Sequence, residues 1–279
     1  MIVWLDGQLV DAAEARVSAF DHGLTVGDGV FETMRVAPAP DGARAAFALT
    51  RHLRRLRRSL GGLGLALPTD DDELRAAVAS VLEANGPDAE RIRITVTGGS
   101  GPLGSDRLAV PPTVVVAAGP ATAWPPTATV VTVPWRRNEH GALAGLKTTS
   151  YAENVVALDH AHRAGAGEAI FANTAGLLCE GTGTNVFVVR DGVLRTPPLT
   201  SGCLAGITRE LVLELVPATE VDLPLDALAD ADEAFLTSST RDVHPIEAVD
   251  GRSLPAAPGP VTRAAMDAFA GLVARTVDP

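Results

Sequence analysis

Apolar and polar positions recur along the chain in short segments that predict a mixture of strands and amphipathic helices. The chain opens with a predicted hairpin, in which residues 2–5 and 8–10 flank Asp6-Gly7, a dipeptide typical of tight turns. The rest of the first half predicts strands at 29–36, 91–99 and 113–119, and helices at 51–64 and 70–86. Acidic residues in the first turn of the second helix, and Asn85-Gly86 at its end, support its bounds.

The second half of the chain continues the same mixture. Strands are predicted at 128–135, 168–172 and 232–238, and a hairpin at 185–197 around Asp191-Gly192. Helices are predicted at 149–166, at 206–216 and after Pro260. The apolar face of the first of these helices is assigned to Ala152, Val155, Val156 and Leu158.

Strands and helices do not alternate strictly, so we expect an α+β fold in two domains. The segment 117–128 is rich in proline and alanine and is the best linker in the chain. We therefore place a small N-terminal domain at 1–118, a linker at 119–127 and a larger C-terminal domain at 128–279.

Composition excludes several classes of function. The 279 residues are 46% hydrophobic and carry a net charge of −11, with a pI of about 5.0, which disfavours binding to nucleic acid phosphates. The sequence shows neither a signal peptide nor an apolar run long enough to span a membrane. Cys179 and Cys203 fit neither a metal site nor a disulfide framework. We therefore expect that the protein binds no metal and is located in the reducing cytoplasm.

The chain contains one lysine, Lys147. The other 22 of its 23 lysines and arginines are therefore arginines. A surface lysine could have been replaced by arginine in such a chain without loss. A lysine amine, unlike a guanidinium, can lose its proton and attack a carbonyl carbon. Lys147 is therefore either a leftover surface residue or a nucleophile, such as one that holds pyridoxal phosphate.

Three further segments bear on that choice. Glu180 lies in a predicted turn before a strand and is either a surface residue or the acidic partner of a pyridine nitrogen. Gly206 opens a helix whose first amides form either an ordinary helix start or an anion site. The hydroxyl residues at 237–240 form either a polar turn or a site for a phosphate or carboxylate.

Taken together, these segments resemble the fold-type IV pyridoxal-phosphate enzymes. The resemblance runs through FDHGLTVGDGVFETMRV, RHLRRL, LAGLK, EGTGTNVF, LAGITRE and TSST, and covers nearly the whole chain. This family includes branched-chain aminotransferases, D-amino-acid aminotransferases and 4-amino-4-deoxychorismate lyases. It implies a small N-terminal α/β domain, a larger C-terminal domain with a barrel-like mixed sheet, pyridoxal 5'-phosphate as cofactor, and a homodimer with active sites near the domain interface.

The resemblance also implies roles for individual residues. Lys147 would hold the cofactor covalently and move the proton, and Glu180 would pair with the pyridine nitrogen. The phosphate would be bound by Arg55, by the amides of Ile207 and Thr208, and by the Ser239 hydroxyl. Leu204 would pack against the cofactor ring, and Thr240 would lie at the substrate carboxylate.

The substrate-facing residues leave more open. Arg93 would face an anionic group of the substrate or would be an exposed strand arginine. Phe31 would line the pocket or belong to the core, and Tyr151 would line the pocket or pack on a helix face. Gly98 stands where the lyase and D-amino-acid patterns have arginine, and Arg93, Arg136 and Arg137 are its candidate replacements.

Two reactions remain after this comparison. The LAGLK segment, with Tyr151 four and Asn154 seven residues after Lys147, resembles the lyases. The expected function is therefore 4-amino-4-deoxychorismate lyase, which releases pyruvate and p-aminobenzoate for folate synthesis. The alternative is a class IV aminotransferase acting on branched-chain or other amino acids with 2-oxoglutarate.

Overall fold

The computed structural model describes residues 1–39 and 42–279, which divide into two compact units. Unit 1 comprises Met1–Thr122, Leu146–Tyr151 and Val273–Pro279, and unit 2 comprises Ala123–Gly145 and Ala152–Leu272. The short segment containing Lys147 thus belongs to unit 1 although its neighbours in sequence belong to unit 2. The domain boundaries placed around 119–127 stay a prediction.

Unit 1 is built from an antiparallel sheet and helices. Its strands are β1 Ile2–Leu5, β2 Gln8–Asp11, β3 Gly29–Pro38, β4 Arg44–Ala46, β5 Arg91–Thr97 and β6 Thr113–Gly119. Its helices are α1 His22–Thr25, α2 Leu49–Leu63 and α3 Asp71–Asn85. The strand order is β2-β1-β6-β5-β3-β4, and every neighbouring pair is antiparallel.

One face of this sheet carries the core of unit 1. Val30 and Met34 of β3 lie opposite Val96 and Ile92 of β5, and all four side chains are fully buried. They pack with the apolar faces of α2 and α3. Side chains alternate between the two faces of a strand, so Phe31 and Arg93 lie on the other face of the sheet.

The helix bounds in unit 1 follow from their end residues. Asp70 caps α3 by accepting a hydrogen bond from the Glu73 amide at 2.8 Å, and acidic residues fill the first turn. Gly64 ends α2 in the left-handed conformation, at φ 66°. The predicted helices at 51–64 and 70–86 are confirmed within a few residues.

Unit 2 contains a mixed sheet that curls like part of a barrel, as expected from the resemblance. Its strands are β7 Ala128–Arg137, β8 Glu168–Asn173, β9 Leu178–Gly181, β10 Asn185–Arg190, β11 Val193–Thr196, β12 Thr219–Glu220, β13 Glu233–Ser238, β14 Asp242–Val249 and β15 Arg252–Ser253. Its helices are α4 Ala152–Arg163, α5 Ile207–Leu215 and α6 Pro260–Arg275, the last of which continues into unit 1. The strand order is β12-β11-β10-β13-β14-β7-β8-β9, with β15 beside β14.

Parallel pairs in this sheet are β11 with β12, β14 with β7, and β7 with β8. The α+β class is therefore confirmed, with antiparallel strands in unit 1 and a mixed sheet in unit 2. Among the residues described, the structure has no helix that is long and apolar enough to cross a membrane.

The predicted apolar face of α4 is wrong. Val155 and Val156 are 64% and 51% exposed, whereas Asn154, Ala157 and Ala161 are buried. Small side chains at this spacing let α4 lie close to β7 and β8, and the larger apolar residues then point outward. The sequence prediction assigned the larger apolar side chains to the buried face, because the pattern of apolar residues does not show how closely two elements pack.

Candidate active site

In unit 1, the segment around Lys147 pairs with the first residues of β3, along the edge that β4 does not cover. The Phe31 amide donates a hydrogen bond to the Lys147 carbonyl oxygen at 3.1 Å, and the Thr149 amide donates to the Gly29 carbonyl at 2.8 Å. The Lys147 amide donates to the Ser59 hydroxyl of α2 at 3.2 Å. The backbone of the single lysine is thus held on two sides.

The pairing also determines where the lysine side chain points. Thr148 pairs with Val30, and directly paired residues project on the same face, so Lys147 projects on the opposite face with Phe31. The Lys147 Nζ lies 4.3 Å from the centre of the Phe31 ring and 5.7 Å from that of Tyr151. The two rings meet edge to face, with centres 5.1 Å apart.

Arg93 joins the same group. Its guanidinium carbon lies 3.7 Å from the centre of the Phe31 ring, and its Nε donates to the Thr95 hydroxyl at 3.0 Å. The structure therefore brings together Lys147, Phe31, Tyr151 and Arg93 on one face of unit 1. This is a small aromatic surface with the Lys147 amino group and the Arg93 guanidinium beside it.

On the opposite face of the sheet lies a buried charged cluster that contains the predicted residue Arg55, with Glu32 and His52, for which the sequence predicted no role. The Glu32 carboxylate, 0% exposed, accepts from His52 Nδ1 at 2.6 Å and from Arg55 Nε and Nη2 at 2.8 and 2.6 Å. Glu32 occupies a position between Val30 and Met34 on the apolar face of β3, where a charge is costly. A carboxylate in the apolar phase of a strand was the signal that could have revealed it.

The electrostatics of this cluster follow from burial and pairing. Burial would raise the pKa of Glu32, but the Arg55 guanidinium and its hydrogen bonds, with a smaller effect of His52, outweigh it and lower that pKa to about 2. Burial lowers the pKa of His52 below its ordinary value, against the opposing effect of Glu32. The cluster therefore consists of an ionised Glu32, a neutral His52 and the Arg55 cation.

The environment of Gly98 leaves little room for a side chain. A Cβ built there would lie 2.6 Å from Asp28 Oδ2, so any larger residue would require Asp28 to shift. Asp28 is held by Arg107, whose Nε lies 2.7 Å from Oδ2 and whose Nη2 lies 2.5 Å from Oδ1. The hydrogen bonds from Arg107 lower the pKa of Asp28.

In unit 2, Glu180 lies in β9, opposite Phe171 of β8, and not in the turn that the sequence predicted. One carboxylate oxygen accepts from the Leu204 amide at 2.8 Å. The other lies 3.2 Å from Nε of Arg137. A strand holds the carboxylate more firmly than a turn would, and the two partners fix its orientation.

Arg137 is a further residue of this site, and its environment bears on its candidate role as a replacement at Gly98. Its Nη1 lies 2.6 Å from the Glu153 carboxylate, its Nη2 donates to the Asn154 side chain, and its guanidinium stacks on Phe171 at 3.9 Å. With Glu180 as well, Arg137 contacts two carboxylates, an amide and a ring within unit 2. Arg136 is exposed.

The start of α5 forms a backbone cradle. Gly206 precedes the helix, and no side chain of the described residues caps the amides of its first turn. A Cβ at Gly206 would overlap the Asn185 side-chain oxygen, and Asn185 in turn donates to the Leu204 carbonyl at 2.8 Å. Ile207 and Thr208 are buried at 4% and 3% exposure.

The turn between β13 and β14 carries the remaining predicted residues, Ser239 and Thr240, both half-buried. Next to this turn, the Thr237 hydroxyl is buried without a hydrogen-bond partner among the described residues. Helix amides, hydroxyls and an unsatisfied buried polar atom are what a phosphate group requires. The residues present in unit 2 thus fit a phosphorylated cofactor, with Glu180 as an acidic partner for its ring.

Residues 29–249 match a family model described as amino-transferase class IV. The chain belongs to the class IV aminotransferase family, whose cofactor is pyridoxal 5'-phosphate. The protein is therefore an enzyme of this pyridoxal-phosphate-dependent family that acts on a small molecule.

Individual relatives cover almost the whole chain. A Methanocaldococcus jannaschii protein, named as a candidate branched-chain-amino-acid aminotransferase, is 38% identical over 90% of this chain and 89% of its own. The branched-chain-amino-acid aminotransferase of Pseudomonas aeruginosa is 33% identical over 98% and 92%. The crystal structure of a Thermoproteus uzoniensis branched-chain aminotransferase with norvaline matches with TM-score 0.90 and 35% identity, covering 98% of this chain and 94% of that one.

These relatives overturn the expected lyase function. A Legionella pneumophila structure described as a candidate 4-amino-4-deoxychorismate lyase matches with TM-score 0.85 but only 22% identity, which shows the fold alone. The lyase expectation rested on a short segment next to Lys147. Enzymes of one fold catalyse different reactions, so a short segment beside the lysine does not identify the reaction.

Proposed function

We propose that this protein is a branched-chain aminotransferase that uses 2-oxoglutarate as amino acceptor. The observation that carries the proposal is the 33–38% identity, over nearly the full chain, to proteins named for that activity. The apolar wall formed by Phe31 and Tyr151 supports it, since branched aliphatic side chains pack well on aromatic rings. Arg93 beside that wall suits the second carboxylate of 2-oxoglutarate or glutamate.

Bound pyridoxal phosphate supplies the electron sink for the charge that develops on the substrate α-carbon. In the proposed reaction, the Lys147 amine holds the cofactor and then carries the proton between the substrate α-carbon and the cofactor carbon that receives the amine. The Glu180 carboxylate keeps a proton on the pyridine nitrogen. Arg137 and the Leu204 amide orient that carboxylate by contacts at 3.2 and 2.8 Å.

The remaining assignments concern binding. The amides of Ile207 and Thr208, the Ser239 hydroxyl and Arg55 are proposed to hold the phosphate. Leu204 is proposed to pack on the ring, and Thr240 to bind the substrate carboxylate. Arg55 already pairs with Glu32 through two hydrogen bonds, so Glu32 is proposed to fix the direction in which Arg55 presents its guanidinium.

A panel of amino donors tests the proposal. The purified protein with added pyridoxal phosphate and 2-oxoglutarate should form glutamate from L-leucine, L-isoleucine and L-valine, and a Lys147→Ala variant should not. A Bacillus licheniformis relative named D-alanine aminotransferase is 30% identical over 94% of this chain, so D-alanine belongs in the panel. Preference for D-alanine over all three branched-chain donors would contradict the proposal.

A homodimer is proposed as the working form. In unit 1, the loops at 17–26 and 98–110 are joined by a hydrogen bond from the Gly101 amide to the Phe20 carbonyl at 2.9 Å. Their exposed apolar residues form what we call the loop patch: Val17, Phe20, Leu24, Val26, Leu103, Leu108 and Val110. Exposed apolar residues gathered in this way are typical of protein interfaces.

A cytoplasmic location is also proposed. Cys179 and Cys203 are free and buried. Burial raises the pKa of both thiols, that of Cys203 to about 11, so they are unreactive core residues. Free thiols of this kind suit a reducing compartment.

A further inference from the structure

A buried ion pair in unit 2 lies between the loop that follows Glu180 and the Ser239–Thr240 turn, to which the proposed function assigns ligands. Glu168, at the start of β8, is 1% exposed, and the side chain of Arg241, in the turn between β13 and β14, is 7% exposed. Arg241 Nη2 lies 3.4 Å from Glu168 Oε2. Burial of two charges is costly unless other hydrogen bonds support them, so their further partners indicate what the pair stabilises.

The Glu168 carboxylate fixes the loop that follows Glu180. It accepts from the Thr182 amide at 3.0 Å, from the Thr182 hydroxyl, and from the Thr184 hydroxyl at 3.2 Å. Thr182 and Thr184 are both buried. One carboxylate thus ties together the backbone and side chains of this loop.

Arg241 and Trp124 fix the second loop. The Arg241 guanidinium stacks on the Trp124 ring at 3.7 Å and donates to the Gly167 carbonyl at 3.1 Å. The Trp124 indole N–H donates to the Thr240 carbonyl at 2.9 Å. The Arg241 amide donates to the Ser238 hydroxyl at 3.1 Å, so the turn containing Ser239 and Thr240 is held at both ends.

We propose that Trp124, Arg241 and Glu168 are positioning residues that hold the Ser239–Thr240 turn in the conformation required for the cofactor phosphate and the substrate carboxylate. The inference rests on the proposed function, since that function assigns the turn its ligands. Arg241 and Glu168 neutralise each other, so neither acts as a free charge toward a ligand. They act through the shape of the turn and of the loop after Glu180.

Substitutions in the full chain test this inference. Arg241→Gln removes the charge and much of the stacking, and should raise the dissociation constant for pyridoxal phosphate and the KM for the amino donor by about tenfold each. The kcat should stay within about twofold, because binding rather than the proton transfer is affected. Arg241→Lys restores the charge and should recover part of the loss.

Trp124→Phe isolates one hydrogen bond. It keeps a ring for Arg241 but removes the donor to Thr240, and should weaken cofactor binding by about threefold to tenfold. Arg163→Gln, at a position whose side chain is 75% exposed in α4, is the matched control and should change neither constant. If Arg241→Gln does not fold, Trp124→Phe and Arg241→Lys still decide the question.

Unchanged cofactor affinity and unchanged KM in folded Trp124→Phe and Arg241→Gln would overturn the inference, as would a loss confined to kcat. Failure of the proposed function would look different. In that case the wild type would bind pyridoxal phosphate but transfer no amine from branched-chain donors, while weaker cofactor binding by the variants would still support the positioning role.

Discussion

At the scale of single residues, Glu32 shows how a buried charge is kept. Its carboxylate lies in the apolar core of unit 1 and depends on His52 and Arg55 for its hydrogen bonds. Such a pair contributes little compared with apolar residues of the same volume, but removing one partner leaves the other charge uncompensated. The presence of this cluster in an apolar core is consistent with the role proposed for Arg55 at the phosphate.

Glu32→Gln should destabilise the protein by about 3 kcal/mol, because Arg55 would remain charged and buried without a carboxylate. Urea unfolding monitored by circular dichroism measures the change. Asp159→Asn is the control, since Asp159 is 57% exposed in a surface pair with Arg163 and should change stability by less than about 1 kcal/mol. Equal effects of the two substitutions would contradict the structure of the cluster.

His52 makes a separate prediction about pH. Burial lowers the pKa of His52 in the folded state from 6.5, so the unfolded chain binds a proton that the folded chain does not as pH falls. Stability should therefore decrease from about pH 7 to pH 5, because the unfolded state binds more protons in this range. Glu32 adds a second loss between 4.5 and about 2, as pH falls through its lowered pKa.

Thermal unfolding at a series of pH values measures this slope. His52→Gln should flatten it between pH 7 and 5, and His162→Gln, at an exposed position of α4, should leave it unchanged. Burial also lowers the pKa of His244, so part of the slope should remain in His52→Gln. An identical slope in the wild type and both variants would show that His52 is not buried in the neutral form.

At the scale of secondary structure elements, helix α2 packs closely against the lysine segment at a glycine, Gly62. A Cβ at Gly62 would lie 2.6 Å from the Leu146 side chain, next to Lys147, whereas a Cβ at Gly61 would meet no atom within 4 Å. Both glycines lie in the last turn of the same helix. Substitution of either glycine by alanine changes helix propensity by the same amount, but only the substitution at Gly62 brings a methyl group against Leu146.

Gly61→Ala should stabilise the protein by up to about 1 kcal/mol through helix propensity. Gly62→Ala should be about 1–2 kcal/mol less stable than Gly61→Ala, because the added methyl group forces Leu146 to move. Chemical unfolding of the two variants gives this difference directly. Equal stabilities would show that α2 does not contact the lysine segment closely.

The elements that the sequence predicted well are those with strong end signals. The Asp6-Gly7 hairpin and α3, with its Asp70 cap, were predictable because local residues determine them. Strands β9 and β14 were missed. Strand β9 is only four residues long, Leu178–Gly181, and its pairing with β8 has an irregular register. Strand β14, Asp242–Val249, pairs with the distant β7 as well as with β13. The outward side of α4 was misassigned for a similar reason, since packing on β7 and β8 decides it.

The predicted site residues show the same division. Lys147 stood out because it is the only lysine, and Glu180, Gly206 and Ser239 because they lie in recognisable motifs. Glu32 and Arg241 were not selected and Arg137 was considered only as a replacement at Gly98, because each contacts a partner that is distant in sequence. Chemistry that depends on residue type was therefore visible in the sequence, whereas positioning by buried ion pairs was not.

At the scale of the whole molecule, the loop patch predicts an oligomer. The wild type should sediment as a dimer, and Leu103→Glu, at a residue that is 72% exposed, should shift it toward monomer. Val193→Glu is the control, because Val193 is 43% exposed but lies outside the patch. A monomeric wild type, or a dimer unaffected by Leu103→Glu, would place the interface elsewhere or exclude it.

The reaction is also inferred at this scale. The short segment around Lys147 favoured the lyase, which is wrong. Relatives that match over 90% and 98% of the chain are named for branched-chain amino-acid aminotransfer, and they favour amine transfer. The central claim is thus that the protein transfers an amine from a branched-chain amino acid through Lys147.

A single-turnover reaction tests this claim most directly. The protein loaded with pyridoxal phosphate is mixed with L-leucine in the absence of an oxo acid, and the products are quantified by mass spectrometry. We expect one molecule of 4-methyl-2-oxopentanoate and one molecule of pyridoxamine phosphate per active site, and neither product with Lys147→Ala. Loaded wild-type protein that leaves L-leucine unchanged would contradict it.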